Sequence, residues 1–314
     1  MGNQTGYENS PASLLFLPRN VCLLHVCFVH PIHSNSCFFS VLISLDRAAV
    51  VSGACIRKGR PLHFLIFIFI WSTVVYDPIA RSSWNPVGWS NYWKGDVSGV
   101  FDFAGGTVVH INSASTSLVY SIFCSWKRTI FGTKPLKAED KNLLNRQFKP
   151  HNVVNVVLGT AFLWIGWFGF NGGSALGANL RAVSACISTH LAACAGGVTG
   201  TMLEYIDSSR NAKDSGKFSI VGFCNGAIAG LVAITPAAGY VRSLSLPDAN
   251  KTLMKQVPSW SAPIIGIAGS FFVALFQGIS ESYFDTNEIF IVHGVAGWVG
   301  MLLTAGFARY LTPL

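Results

Sequence analysis

The sequence predicts an all-α integral membrane protein that crosses the bilayer many times. Three observations lead there. Asp, Glu, Lys and Arg make up only 11% of the 314 residues, where an ordinary soluble domain carries about 25%. The mean hydropathy is +0.44. The apolar residues are also gathered into runs of the length that spans a membrane, about 20 residues for about 30 Å of hydrocarbon.

Seven runs stand out, over 62–81, 101–125, 153–178, 182–206, 218–241, 261–281 and 287–311. Most are rich in Gly, Ala and Ser, as between Gly222 and Gly239. Small residues let helices approach closely in lipid, where packing drives association. The formal net charge is +8, and the basic residues sit between the runs. Arg57, Lys58 and Arg60, then seven basic residues over 126–150, then Arg210, Lys213 and Lys217 supply 13 of the 22 Lys and Arg. These stretches alternate along the chain as a shared cytoplasmic side requires. The stretches near 82–100, 179–181 and 242–260 are then external, and the last holds a glycosylation triplet, Asn250-Lys251-Thr252. No arginine–aromatic interleaving marks a nucleic-acid surface, so nucleic acid is not an expected partner.

Residues 1–47 differ in character. Their apolar stretches are short and broken by His30, Pro31 and His33. Cys22, His25, Cys27, His30, His33 and Cys37 lack the paired spacing of a zinc site, and no C-x-x-C occurs among the eight cysteines. No metal or other cofactor is expected. Neither H-E-x-x-H nor G-x-S-x-G is present, so the chain is not read as an enzyme.

Two segments repeat one pattern. Phe101-Asp102 is followed, eight residues after the Asp, by His110, and Phe284-Asp285 likewise by His293. An Asp at a helix start accepts bonds from free backbone N–H groups and favours the positive end of the dipole. Eight helical residues further on, each His lies about 12 Å deeper, near mid-membrane. The charge pattern makes the first helix enter from outside and the second from inside. Transporters built from inverted repeats place their sites at such a midplane, and an ionisable group inside a membrane points to function.

Five strings then carry a resemblance: Tyr76-Asp77-Pro78 through Trp84-Asn85-Pro86, FDFAGGTVVHIN at 101–112, GWFGFNGGSALGAN at 166–179, GAIAGLVAITPAAGY at 226–240 and HGVAGWVG at 293–300. Over residues 48–312 the chain resembles the ammonium transporter family (Amt/Mep/Rh), the Amt/Mep branch within it, and a fungal member most. The resemblance implies eleven helices in an inverted five-plus-five repeat, assembled as a trimer in the plasma membrane, each subunit holding its own narrow apolar pore. It makes Trp84 and Ser174 an outer recruitment site for ammonium, Asp102 the acid supporting it, Phe170 half of an aromatic gate, Trp167 a pore wall, and His110 and His293 the twin histidines.

Against that pattern the chain reads as truncated at both ends. About seven of eleven helices are clear, with the second repeat starting near 151 and the first incomplete. Residues 1–47 carry no family match, and residues 37–56 look like a damaged third helix with Arg57 where an acidic residue is usual. The second gate phenylalanine has no counterpart, and Arg81 adds positive charge near the recruitment site. Transport of ammonium or ammonia is the expected function. The alternatives are a truncated regulatory or sensing subunit in mixed trimers, and a fragment of a mispredicted gene.

Overall fold

The computed structural model describes residues 50–53, 61–85, 88–90, 99–130, 152–210, 218–242, 255–280 and 289–310. The cysteine–histidine run of the N-terminus, Asp285 and Asn250 lie outside them. All seven apolar runs form helices. In chain order they are α1 (Pro61–Trp71), a π-helical turn (Ser72–Tyr76), α2 (Asp77–Trp84), a second π turn (Gly106–Ile111), α3 (Asn112–Ile130), α4 (Val153–Gly173), α5 (Leu180–Arg210), α6 (Ile220–Ile234), α7 (Ser261–Ser280), a third π turn (Phe290–Val295) and α8 (Ala296–Phe307). Among the described residues four continuous helices, Leu62–Trp84, Val153–Gly173, Leu180–Ser209 and Phe290–Phe307, are long and apolar enough to cross a membrane. Their outward faces carry large apolar side chains, and Leu62, Val154, Phe162, Ile165, Ile187 and Leu302 are all more than half exposed. Such a surface is rare on a soluble monomer and is what lipid tails demand.

The packed centre is the crossing of α5 and α6, which α4 and α7 flank. Gly196 and Gly200 on α5 face Gly226 and Gly230 on α6, and a Cβ on Gly226 would stand 2.9 Å from the Cα of Gly200. Only glycine allows the two backbones to meet there. The hydroxyls of Thr199 and Thr201 donate to the carbonyls of Ala195 and Gly197 one turn back, at 2.8 and 2.9 Å, so these two polar groups are met within their own helix.

Helix ends depart from the expected boundaries for local reasons. The second run becomes helical at Gly106, not at Phe101, because Gly105 has φ +116° and breaks the helical path. The rise to His110 is therefore about 6 Å of helix, not 12. The run 218–241 leaves the helix after Ile234, where Pro236 has no N–H to continue the ladder. Asp77-Pro78 lies inside a continuous helical stretch, and the π turn Ser72–Tyr76 directly precedes it. A widened turn there accommodates the hydrogen bond that proline cannot make.

Short strands join the ends of three helices: β1 (Val241–Arg242), β2 (Lys255–Pro258) and β3 (Arg309–Tyr310). The second half of β2 runs parallel to β1, with Val241 opposite Val257. Its first half runs antiparallel to β3, with Lys255 opposite Tyr310. The stretch 242–260 is thus more than a loop. Residues 50–53 are helical, and Val51 packs in a cluster with Trp71, Tyr76, Ala80, Val108 and Val109.

Candidate functional site

The site is assembled from the two interrupted helices. Both histidines stand in π turns, His110 in Gly106–Ile111 and His293 in Phe290–Val295. A π turn shifts the side chains that follow it relative to an α-helix and recurs at functional positions. Here it brings Nδ1 of His110 to 3.3 Å from Nδ1 of His293. Their ring centroids are 5.3 Å apart. His110 has no exposed surface.

The carboxylate of Asp102 holds this geometry from one end. Its Oδ1 accepts the N–H groups of Gly105 and Gly106 at 2.9 and 2.6 Å, and its Oδ2 those of Thr107 and Val108 at 2.8 and 3.3 Å. Those are the four orphan donors of a helix start, all met by one side chain. The expected capping role of Asp102 is therefore seen in full. Its backbone carbonyl also accepts the indole N–H of Trp84 at 3.0 Å. The Trp84 ring lies against Gly105, where a Cβ would meet it at 3.3 Å.

α4 contributes the opposite wall. Trp167 stacks on His110 with centroids 5.3 Å apart and planes 17° from parallel. Phe170 lies 6.0 Å from the His110 ring and 5.8 Å from that of Trp167. It packs against both apolar clusters of the molecule. Ser174 caps α4, and its hydroxyl donates to the Phe170 carbonyl at 2.8 Å. Its single proton is committed there, so the oxygen faces any ligand as an acceptor only.

Of the seven residues singled out in the sequence, His110, His293, Trp167 and Phe170 form one contiguous ring cluster. Asp102 and Trp84 are joined to each other, and Ser174 is tied to Phe170 by its hydroxyl. Arg81 is exposed in the last turn of α2.

Sequence reasoning missed Thr235. Its Oγ1 receives the indole N–H of Trp167 at 3.0 Å and lies 3.3 Å from Nε2 of His110. Its carbonyl accepts the N–H of Ala104 at 3.3 Å. The signal was present but faint: Thr235 is the one hydroxyl among small and aliphatic residues from Gly226 to Gly239. Arg181 was missed too. Its guanidinium lies 4.8 Å from the Phe103 ring centroid and 5.3 Å from that of Tyr240, and its Nε–H donates to the Gly239 carbonyl at 2.9 Å. Among the described residues no cluster of His, Cys, Asp and Glu is arranged to hold a metal.

Comparison with known proteins gives a consistent answer. A family model described as Ammonium Transporter Family matches residues 21–246, a span that begins inside the stretch 1–47. Ammonium transporter 1 of Schizosaccharomyces pombe is 41% identical over 87% of this chain and 47% of its own length. Ammonium transporter MEP2 of Saccharomyces cerevisiae is 38% identical over 83% of this chain and 45% of its own. The crystal structure of Candida albicans Mep2 superposes with a TM-score of 0.68 at 35% identity, over 87% of this chain and 53% of that one. This chain spans about half the length of those relatives. The Schizosaccharomyces and Saccharomyces relatives are named as ammonium transporters, and the alternative of a regulatory subunit is not favoured.

Proposed function

This chain belongs to the ammonium transporter family, and on that premise we propose that it moves ammonium across a membrane along the path from Trp84 to His293. The observation that carries the reading is the contact of the buried His110 with the half-buried His293, walled by Trp167 and Phe170. The chemistry suits the substrate. The face of the Trp84 indole attracts a cation without opposing it with a full charge. The acceptor oxygen of Ser174 suits an N–H donor. An ion does not pass the Phe170–Trp167 constriction cheaply, because stripping its water costs many kcal/mol. Neutral ammonia passes, and the proton travels separately. Neutral imidazoles, each a donor and an acceptor, give ammonia polar partners beyond the gate.

The same reading extends to a trimer of such chains, or a mixed trimer with relatives, in the plasma membrane. The exposed apolar faces of α4 and α5 offer surface to lipid or to a neighbouring subunit. The test is expression in a cell lacking its own ammonium uptake, grown on limiting ammonium. Growth is expected with the parent chain and lost with His110→Ala plus His293→Ala. Growth that survives the double substitution would count against the histidine path, and a parent chain without growth would count against transport.

A further inference from the structure

The outward face of α5 carries a polar pair that the path through the twin histidines does not use. His190 and Cys194 stand four residues apart on that helix, so their side chains leave it on one side. Nε2 of His190 lies 3.6 Å from Sγ of Cys194. His190 is exposed and Cys194 half-buried, and both belong to the membrane-crossing stretch Leu180–Ser209. Ionisable side chains in such stretches nearly always turn to the bundle interior, and where they occur they point to function. This histidine turns outward, with a thiol beside it.

The imidazole is held from α4. Its ring centroid is 5.5 Å from that of Trp164 and 6.2 Å from that of Phe168. A ring set against two aromatic neighbours has little rotamer freedom left to lose when it binds a ligand.

The spacing of the pair matches the bite of a metal ion. Tetrahedral zinc takes a histidine nitrogen at about 2.1 Å and a cysteine sulfur at about 2.3 Å, which sets the two ligand atoms about 3.6 Å apart. Nε2 and Sγ already stand at that separation, so the helix need not move to receive the ion. Paired ligands at the same four-residue offset on a helix recur in zinc motifs. Cys186, one turn earlier, does not extend the pair. Its sulfur turns to the Phe168 carbonyl at 3.6 Å, and no group of three such ligands forms among the described residues. Sulfur and imidazole together favour a borderline-to-soft ion over magnesium or calcium, which seek oxygen.

We propose that His190 and Cys194 form a two-ligand site for a zinc-class divalent cation on the outward face of α5, with the remaining coordination positions filled from outside this chain. On binding, the Cys194 thiol gives its proton to solvent and the sulfur takes the ion as thiolate, while Nε2 of His190 supplies a lone pair. The ion then bridges one turn of α5 beside Trp164 and Phe168. The site is separate from the contact of His110 with His293 and stands whether or not the chain transports.

The experiment follows alkylation of Cys194 by N-ethylmaleimide in the full chain in detergent, at rising zinc, by mass spectrometry of the peptide that carries it. Reading that one peptide separates Cys194 from the rest of the eight cysteines. Zinc is expected to slow the alkylation, and magnesium at the same concentration to leave it unchanged. His190→Ala removes one of two tethered ligands, so the zinc concentration for half-protection should rise about a hundredfold. His190→Cys supplies a replacement ligand and should restore protection. Half-protection in His190→Ala at the parent's zinc concentration would overturn the proposal, because the thiol alone would then hold the ion. So would a parent that zinc does not protect, or one that magnesium protects equally. Should His190→Ala fail to fold, His190→Asn keeps a polar side chain without the imidazole and is read by the same criteria.

Discussion

Replacing Asp102 tests how the first histidine-bearing helix is held. In the parent, one carboxylate accepts four backbone N–H groups, those of Gly105, Gly106, Thr107 and Val108, and the residue is 3% exposed. Asparagine keeps one acceptor oxygen and turns an NH2 group toward the other two donors. Two buried N–H groups then lose their partner, at about 1–3 kcal/mol each, or about 2–6 kcal/mol together. Alanine abandons all four and costs up to roughly twice as much by the same count. At about 2 °C per kcal/mol for a chain of this size, Asp102→Asn melts roughly 4–12 °C below the parent. The assay is the fraction recovered as a folded species after graded heating in detergent, with one heating schedule for all variants because such unfolding is a rate. Amide exchange at Gly105–Val108 is expected to accelerate at the same time. A melting temperature for Asp102→Asn within about 2 °C of the parent, or Asp102→Ala no worse than Asp102→Asn, would refute the reasoning.

Two further perturbations have defined outcomes. Gly226→Ala forces a methyl to 2.9 Å from the Cα of Gly200 and should destabilise the α5–α6 crossing by about 1–3 kcal/mol, whereas Gly166→Ala, whose Cβ would meet nothing within 4 Å, should leave the same heating assay unchanged. Arg181→Met removes the guanidinium from the faces of Phe103 and Tyr240, each worth about 0.5–1 kcal/mol at an exposed site. It should lower the melting temperature by a few degrees, and a melting curve superposing on the parent's would show that the stacked cation does nothing.

The helices were legible because lipid makes their signal simple: an all-apolar run of the right length can be little else. The cap of Asp102 was legible too, from its place at the start of the apolar run 101–125. The interruptions were not. Nothing in the hydropathy of GTVVHI or FIVHGV distinguishes a π turn from an α turn, since the difference is one shifted hydrogen bond with no side-chain requirement. The strands were hidden for a different reason. Stretches as short as Val241–Arg242 and Arg309–Tyr310 carry no alternation to read, and each exists only because tertiary packing brings it to its partner. Thr235 escaped because a single hydroxyl in an apolar helix is usually satisfied by its own carbonyl four residues back. Only folding reveals that Trp167 and His110 converge on it.

The pairing of β2 with both β1 and β3 has a mechanical meaning for the pair of rings. β1 continues from the end of α6 that bears Thr235, and β3 continues from α8, which follows His293. β2 bonds to both, so the two helices are laced together at one end like staves under a hoop. A helix held at its tip resists sliding along its axis and turning about it. The register between Thr235 and His293 is thereby set at the rim of the bundle, well away from the rings it aligns, and loosening that rim would blur their spacing without touching either side chain.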